Sequence, residues 1–393
     1  MEHRRVEGES KVSNEAVNGA KYVREFFGNA SNKTFKVERI IAQGSWGFTL
    51  QIMVRSNTNT SGTAPGLRPL PSPYAPQPRR LAVSPNTTRF VLKRSLERIG
   101  EGSIRREVDA LDRLRGSMHI AQPSHIVDDP RWNNLMQSLQ GPSLVMEWID
   151  NGLLWSFYER RAEVDEPLPN RLLWSLFLCY RGVRLRSGPE LEVIPPLNPR
   201  GERPPKSRLL HCDFHGQNIM IDRLEPKEHG SVPMLKLIDF GMSRDQPQNI
   251  PNEAKELVSK TNIRAIGEVM LGLLRGNARG GPGTMEITYK GETKSIRSYA
   301  TDLDRLSRTY GAPPDLVAKH QDRINNLDPE IRSLVALCVA YKVEERPDIE
   351  DLLGIVERNA KNKKAEDYIN YKYAYNESDA AIRKIIDDYI FNA

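Results

Sequence analysis

The sequence predicts an α+β chain of two lobes, rich in strands over its first third and mainly helical afterwards. Two patterns predict it. Between Phe35 and Met146 short segments alternate apolar with polar residues, or run apolar for a few positions, as half-buried and buried strands do. From Leu172 onward the apolar residues return at helical spacing.

Residues 1–33 read as a polar N-terminal extension with a short helical pattern around Val23, Phe26 and Phe27, and the first lobe is placed at 34–146. Phe35–Ile41 alternates as a strand, Gly44-Ser-Trp-Gly47 has the composition of a tight hairpin, and Thr49–Val54 returns. Over 55–88 the composition turns to Ser, Thr, Asn and closely spaced prolines. Such a segment buries too little apolar surface to offset the entropy of ordering it, so a disordered Pro-rich insertion is expected. Arg89–Lys93 is a short apolar strand ending in a lysine, and Ile104, Val108, Leu111 and Leu114 mark a helix that carries Glu107. Ser143–Met146 is one more strand, followed by the connector Glu147–Gly152. The second lobe is placed at 147–358, with helices over Leu172–Tyr180, Ile263–Leu274 and Ile331–Tyr341 and an insertion at 187–207. Residues 359–393 read as a charged, solvated helical tail with Tyr368, Tyr371, Ile385 and Ile386 on one side.

Composition narrows the class. A chain of 393 residues, 38% hydrophobic, buries a core well above that of a minimal domain. Its 57 basic and 51 acidic side chains give a net charge of +6 spread along the chain, and no basic run is interleaved with aromatics as a nucleic-acid stacking platform requires. Cys179, Cys212 and Cys338 lie far apart without CxxC spacing, which indicates neither a zinc site nor a disulfide framework and points to a reducing compartment. The polar N-terminus lacks a signal-peptide core, and no stretch approaches the roughly 20 apolar residues of a membrane span. An intracellular protein, cytoplasmic or nuclear, is expected.

The chemistry-bearing residues lie in an ordered series. His211-Cys-Asp-Phe-His-Gly-Gln-Asn218 precedes an apolar run, Ile219–Ile221, and Leu235–Ile238 delivers Asp239-Phe-Gly241 at its end. Asp213 suits the role of accepting or orienting the proton of an attacking hydroxyl, while Asn218 and Asp239 offer hard oxygens to magnesium. Lys93 on its strand suits the α- and β-phosphates of a nucleotide, with Glu107 to hold its flexible stem. Gly44 and Gly47 let backbone approach phosphate. Each residue also has an ordinary reading: a hairpin turn for the glycines, a solvated strand charge and helix charge for Lys93 and Glu107, turn caps for the two aspartates and the asparagine.

Taken together and in this order, the motifs resemble the eukaryotic protein kinase superfamily, from about Phe35 to Leu353. The resemblance implies a bilobal kinase-like fold binding ATP and Mg2+, with Asp213 as the catalytic-loop aspartate and Lys93–Glu107 as the phosphate-binding pair. It makes Asn218 and Asp239 the metal ligands and Gly44 and Gly47 the remnant of the glycine-rich loop. Met146 falls at the gatekeeper place, Glu147 and Ile149 offer backbone hydrogen bonds to adenine, and Ile41, Val91 and Met220 sandwich its ring. Arg346 stands in the place of the structural arginine of the second lobe, with Glu253 as the nearest stand-in for its acidic partner. A protein serine or threonine hydroxyl is the acceptor this implies.

Departures leave rival readings open. Ala42 replaces the first loop glycine, Val91 a smaller alanine, Cys212 an arginine, and Asn262 a bracing aspartate whose role as hydrogen-bond acceptor the amide oxygen is expected to keep. His215 stands where a lysine is usual and resembles the aminoglycoside and choline kinase branch; contact with phosphate and bracing of the loop are both open for it. The segment from Gly241 to Asn262 is short and has no Ala-Pro-Glu motif. A pseudokinase that binds nucleotide without turnover is therefore one rival, and a small-molecule phosphotransferase the other.

Overall fold

The computed structural model describes residues 13–30, 35–44, 47–55, 87–95, 98–124, 139–162, 164, 166–180, 209–225, 232–246, 251–275, 281–304 and 314–393. The chain divides into two compact units, Met1–Asp112 with Gln122–Trp148, and Arg113–Ala121 with Ile149–Ala393. The fold is α+β, with a four-stranded antiparallel sheet in the first unit.

In that unit β1 (Phe35–Gln43), β2 (Gly47–Arg55), β3 (Thr87–Ser95) and β4 (Ser143–Glu147) pair in sequence order. Alternation decides which side chains go inside: Phe35 and Val37 of β1, Phe48, Leu50 and Ile52 of β2, and Leu92 of β3 share one core. The helix α1 (Asn14–Ala30) closes it with Ala16, Ala20, Val23 and Phe27. The N-terminal segment is thus a full helix packed on the sheet, longer than the pattern around Val23 suggested, because small alanines complete its apolar stripe. A second helix, α2 (Arg98–Arg113), buries Ile104, Ala110 and Leu111. Of the Pro-rich insertion, Arg55 ends β2 and Thr87 and Thr88 begin β3; the remainder lies outside the described residues, as does 187–207.

The second unit is helical at its core. Its helices include α3 (Leu154–Ala162), α4 (Asn170–Cys179), α5 (Asn252–Arg275), α6 (Pro314–Asn325), α7 (Pro329–Cys338) and α8 (Ile349–Asn362). Two small antiparallel pairs frame its loops: β5 (Leu209–Leu210) with β8 (Arg244–Asp245), and β6 (Ile219–Leu224) with β7 (Pro233–Leu237). A hairpin of β9 (Gly283–Tyr289) and β10 (Glu292–Ser298) interrupts the helical pattern. Its apolar residues are few, Met285, Ile287 and Ile296, and its turn is Lys290-Gly291, both at positive φ as a two-residue hairpin turn requires.

The stretch after Asn359 is not a solvated helix. Tyr368, Glu377 and Ile386 are buried. The Tyr368 hydroxyl donates to Asp328 at 2.7 Å, and Glu377 accepts from the backbone N–H of Asn170 at 2.6 Å and of Arg171 at 3.0 Å. These bonds tie the tail to the starts of α7 and α4. A final helix, α9 (Asp379–Ile386), adds Ile382 and Ile385 to the buried set.

Candidate active site

Within the first unit, the alternation of β3 sends Leu92 into the α1 core and Val91 and Lys93 to the opposite face. There the Lys93 ammonium meets the Glu107 carboxylate at 2.6 Å, with the Glu107 side chain wholly buried. A buried carboxylate costs several kcal/mol in desolvation unless a cation sits against it, so this pair holds Lys93 in one place. Val91 is half-buried and Ile41 is 40% exposed, so both keep apolar surface outside the core. Met146 is buried at the end of β4, and the Glu147 N–H donates to the Gln122 carbonyl at 3.1 Å.

The hairpin between β1 and β2 is closed by the Gly44 N–H on the Gly47 carbonyl at 2.9 Å. Gly47 has a reason that sequence reading missed. A Cβ there would sit 2.3 Å from the Arg94 carbonyl of β3, so glycine is needed for strand approach, whereas Gly44 has open space around it.

Within the second unit, Asp213, His215 and Asn218 converge on the loop between β5 and β6, and a 3-10 turn at Gly216–Asn218 brings the last of them back. The Asn218 amide nitrogen lies 2.8 Å from the Asp213 carbonyl, 2.9 Å from its carboxylate and 3.3 Å from His215 Nε2. Its two hydrogens go to the two oxygens. His215 Nε2 lies 3.2 Å from the other Asp213 carboxylate oxygen, within ion-pair distance. Asn218 thus orients the Asp213 carboxylate, with His215 beside it, while the Asp213 side chain stays 42% exposed. Ile238 N–H donates to the Asn218 carbonyl at 2.9 Å, joining this loop to the segment that leads from β7 to Asp239.

His211 lies beneath, fully buried. Its Nε2–H donates to the Ile238 carbonyl at 3.1 Å, and its Nδ1 accepts the Asp213 N–H at 3.3 Å. Its ring stands edge-on to Phe240 at 4.6 Å. Burial pushes its pKa down to about 4, against the opposing pull of the Ile238 carbonyl, Asp239 and Asp213. It is a neutral brace beneath the loop.

Cys212 and Asp239 both have φ of 63°, and with Lys290 they are the positive-φ non-glycine residues among those described. Such backbone costs roughly 1–3 kcal/mol per residue and persists where surroundings over-determine it. At Asp239 the carboxylate accepts the Gly241 N–H at 3.3 Å. Met220 is half-buried on β6, and Ile149 is buried.

One expectation about a supporting residue is corrected. Among the described residues Asn262 on α5 is a donor and not an acceptor: its amide nitrogen gives to the Leu209 carbonyl of β5 at 3.0 Å. Arg346 is buried, and its guanidinium donates to the carbonyls of Ala340 and Lys260, both at 3.2 Å, which supplies acceptors from main chain. The Glu253 side chain lies outside the described residues. Helix α5 begins at Asn252, soon after β8, and Ser243, just before β8, is buried.

No protein-family model matches the chain, and no curated protein sequence matches it.

Proposed function

We propose that this protein is a divergent member of the protein kinase-like superfamily that uses ATP and magnesium to phosphorylate a serine or threonine hydroxyl of a protein. The observation that carries the reading is the hold of the Asn218 amide on both the carbonyl and the carboxylate of Asp213, with His215 close to the other carboxylate oxygen. In phosphoryl transfer the protein mostly positions groups and balances charge, and a carboxylate held by a side-chain amide yet open to solvent suits receiving the hydroxyl proton of an acceptor. The Lys93–Glu107 pair supports the same reading from the first unit, as a cation held ready for phosphate. Ile41 and Val91 in the same unit, neither fully buried, keep apolar surface for an adenine ring.

The donor set fits magnesium. Asn218 spends its amide nitrogen on Asp213, which leaves its oxygen as a ligand, and Asp239 adds a carboxylate. Magnesium prefers few protein oxygens, with phosphates and water completing the shell. When bound it neutralises charge on the phosphates. Among the described residues no three of His, Cys, Asp and Glu gather as a cage, and this mode of binding requires none.

A second reading has an observation of its own. The short run from Asp239 to the start of α5 leaves little chain for a peptide-docking platform, which favours a small-molecule acceptor; the kinase-like ending around buried Arg346 favours the protein acceptor. Radiolabelled ATP with purified protein, magnesium and a mixture of protein and metabolite acceptors tests both. Label on protein, lost in Asp213→Asn, is expected; label confined to small molecules establishes the second reading. Nucleotide binding without turnover defeats both and leaves a pseudokinase.

A further inference from the structure

In the second unit, a cavity of about 50 Å³ lies among α3, α4, α5 and α6. One water needs roughly 10–15 Å³ on this measure, so the space admits a small functional group and a few carbons. Two arginines line it. Arg161, 7% exposed, gives one hydrogen to the Glu166 carbonyl at 2.9 Å and lies over the Tyr389 ring at 5.0 Å. Arg323 gives one to the Val164 carbonyl at 3.1 Å. In both, the Nε–H is buried without a hydrogen-bond partner.

Buried donors are almost always satisfied, and a charged donor left without an acceptor is costly. Two on one cavity point to a missing oxyanion. The rest of the lining selects its kind. Leu173, Leu273 and Leu303 present hydrocarbon, and Glu166 adds a negative charge whose oxygens are already taken by the Tyr375 hydroxyl and the Asn376 amide, both at 2.9 Å. Two cations beside one anion leave a balance of one positive charge, which suits a monoanion and disfavours a phosphate dianion.

We propose that this cavity binds a monocarboxylate on a small apolar body, its carboxylate held by the Nε–H groups of Arg161 and Arg323 and its carbons by the leucines. The site is independent of the nucleotide reading, since none of its residues belongs to the candidate active site.

Calorimetric titration of the full chain with 3-methylbutanoate tests it, with inorganic phosphate and 3-methylbutan-1-ol as comparators. Saturable binding of the carboxylate is expected, weakened about tenfold or more in Arg161→Gln and Arg323→Gln and by a similar factor for either comparator. Arg161→Gln also removes the Tyr389 contact; if it fails to fold, Arg323→Gln and Leu303→Phe, which fills the cavity and leaves both guanidinium groups, read the same site. Absence of saturable binding, phosphate binding as tightly as the carboxylate, or affinity unchanged in the folded variants overturns the proposal.

Discussion

Asn218 donates its side-chain amide to both the carbonyl and the carboxylate of Asp213, at 2.8 and 2.9 Å, so one residue sets the position and the rotamer of the proposed proton acceptor. Metal ligation and positioning are separable here. Asn218→Ala removes both, while Asn218→Asp keeps an oxygen for magnesium but sets a second carboxylate against Asp213, and like charges that close oppose joint ionisation. Both variants are expected to lose about 100-fold or more in magnesium-dependent ATP turnover, as is Asp213→Asn. Full turnover in Asn218→Asp would show that the amide donor is dispensable.

The Lys93–Glu107 pair makes a prediction about stability that differs from its prediction about activity. Removing one partner of a buried ion pair costs about 3 kcal/mol or more, because the other charge stays in place, whereas replacing both with apolar residues is often neutral. Lys93→Met is therefore expected to lower the thermal midpoint clearly, and Lys93→Met with Glu107→Leu to restore most of it. Neither variant is expected to bind ATP at the parent's affinity. A double variant that regains nucleotide binding along with stability would remove Lys93 from the phosphate-binding role.

What was legible in advance divides along physical lines. Strong local patterns were readable: Phe35 and Val37 alternate into a core, and Ile104, Leu111 and Leu114 repeat at helical spacing. Residue types also declared chemistry, so Asp213, Asn218 and Asp239 stood out at their spacings. Weak patterns were not readable. The hairpin Gly283–Ser298 buries just three apolar side chains, Met285, Ile287 and Ile296, among mostly polar neighbours, and its one signal was the Lys290-Gly291 turn. Nor were partners distant along the chain readable. That Arg346 would satisfy itself on main-chain carbonyls, that Asn262 would donate instead of accept, and that Glu377 would reach Asn170 all depend on which groups folding brings together.

Helix α1 is expected to support the glycine hairpin. Its entry is tied to the hairpin's base by the Ser13 N–H on the Gln43 side chain at 2.6 Å, and its Gly19 lies against the buried Phe48 ring, beside Gly47. A Cβ at Gly19 would come within 2.7 Å of that ring, and overpacking of this kind costs about 1–3 kcal/mol. Gly28 on the same helix has nothing within 4 Å, so alanine there gains about 0.5–1 kcal/mol from helix propensity. Gly19→Ala should thus lower the thermal midpoint and raise the KM for ATP, and Gly28→Ala should raise the midpoint with KM unchanged. Equal midpoints for the two would contradict the close contact.

His211 gives the proposed catalytic loop a pH dependence with a definite sign. Burial lowers its pKa from the ordinary 6.5 to about 4, so the unfolded chain takes up a proton in a range where the folded chain does not. Above about pH 6.5 the stability contributed by the neutral ring is fully present, and as pH falls toward 4 it declines by up to about 1.4 kcal/mol per pH unit. Below pH 4 this group removes nothing further. Gln in its place keeps a donor for Ile238 and an acceptor for the Asp213 N–H but does not titrate. Urea midpoints followed from about pH 7.5 to pH 4.5 are therefore expected to fall more steeply for the parent than for His211→Gln, the gap opening below about pH 6.5. Parallel curves would mean that the imidazole is as easily protonated folded as unfolded, and the neutral brace under Asp213 would have to be abandoned.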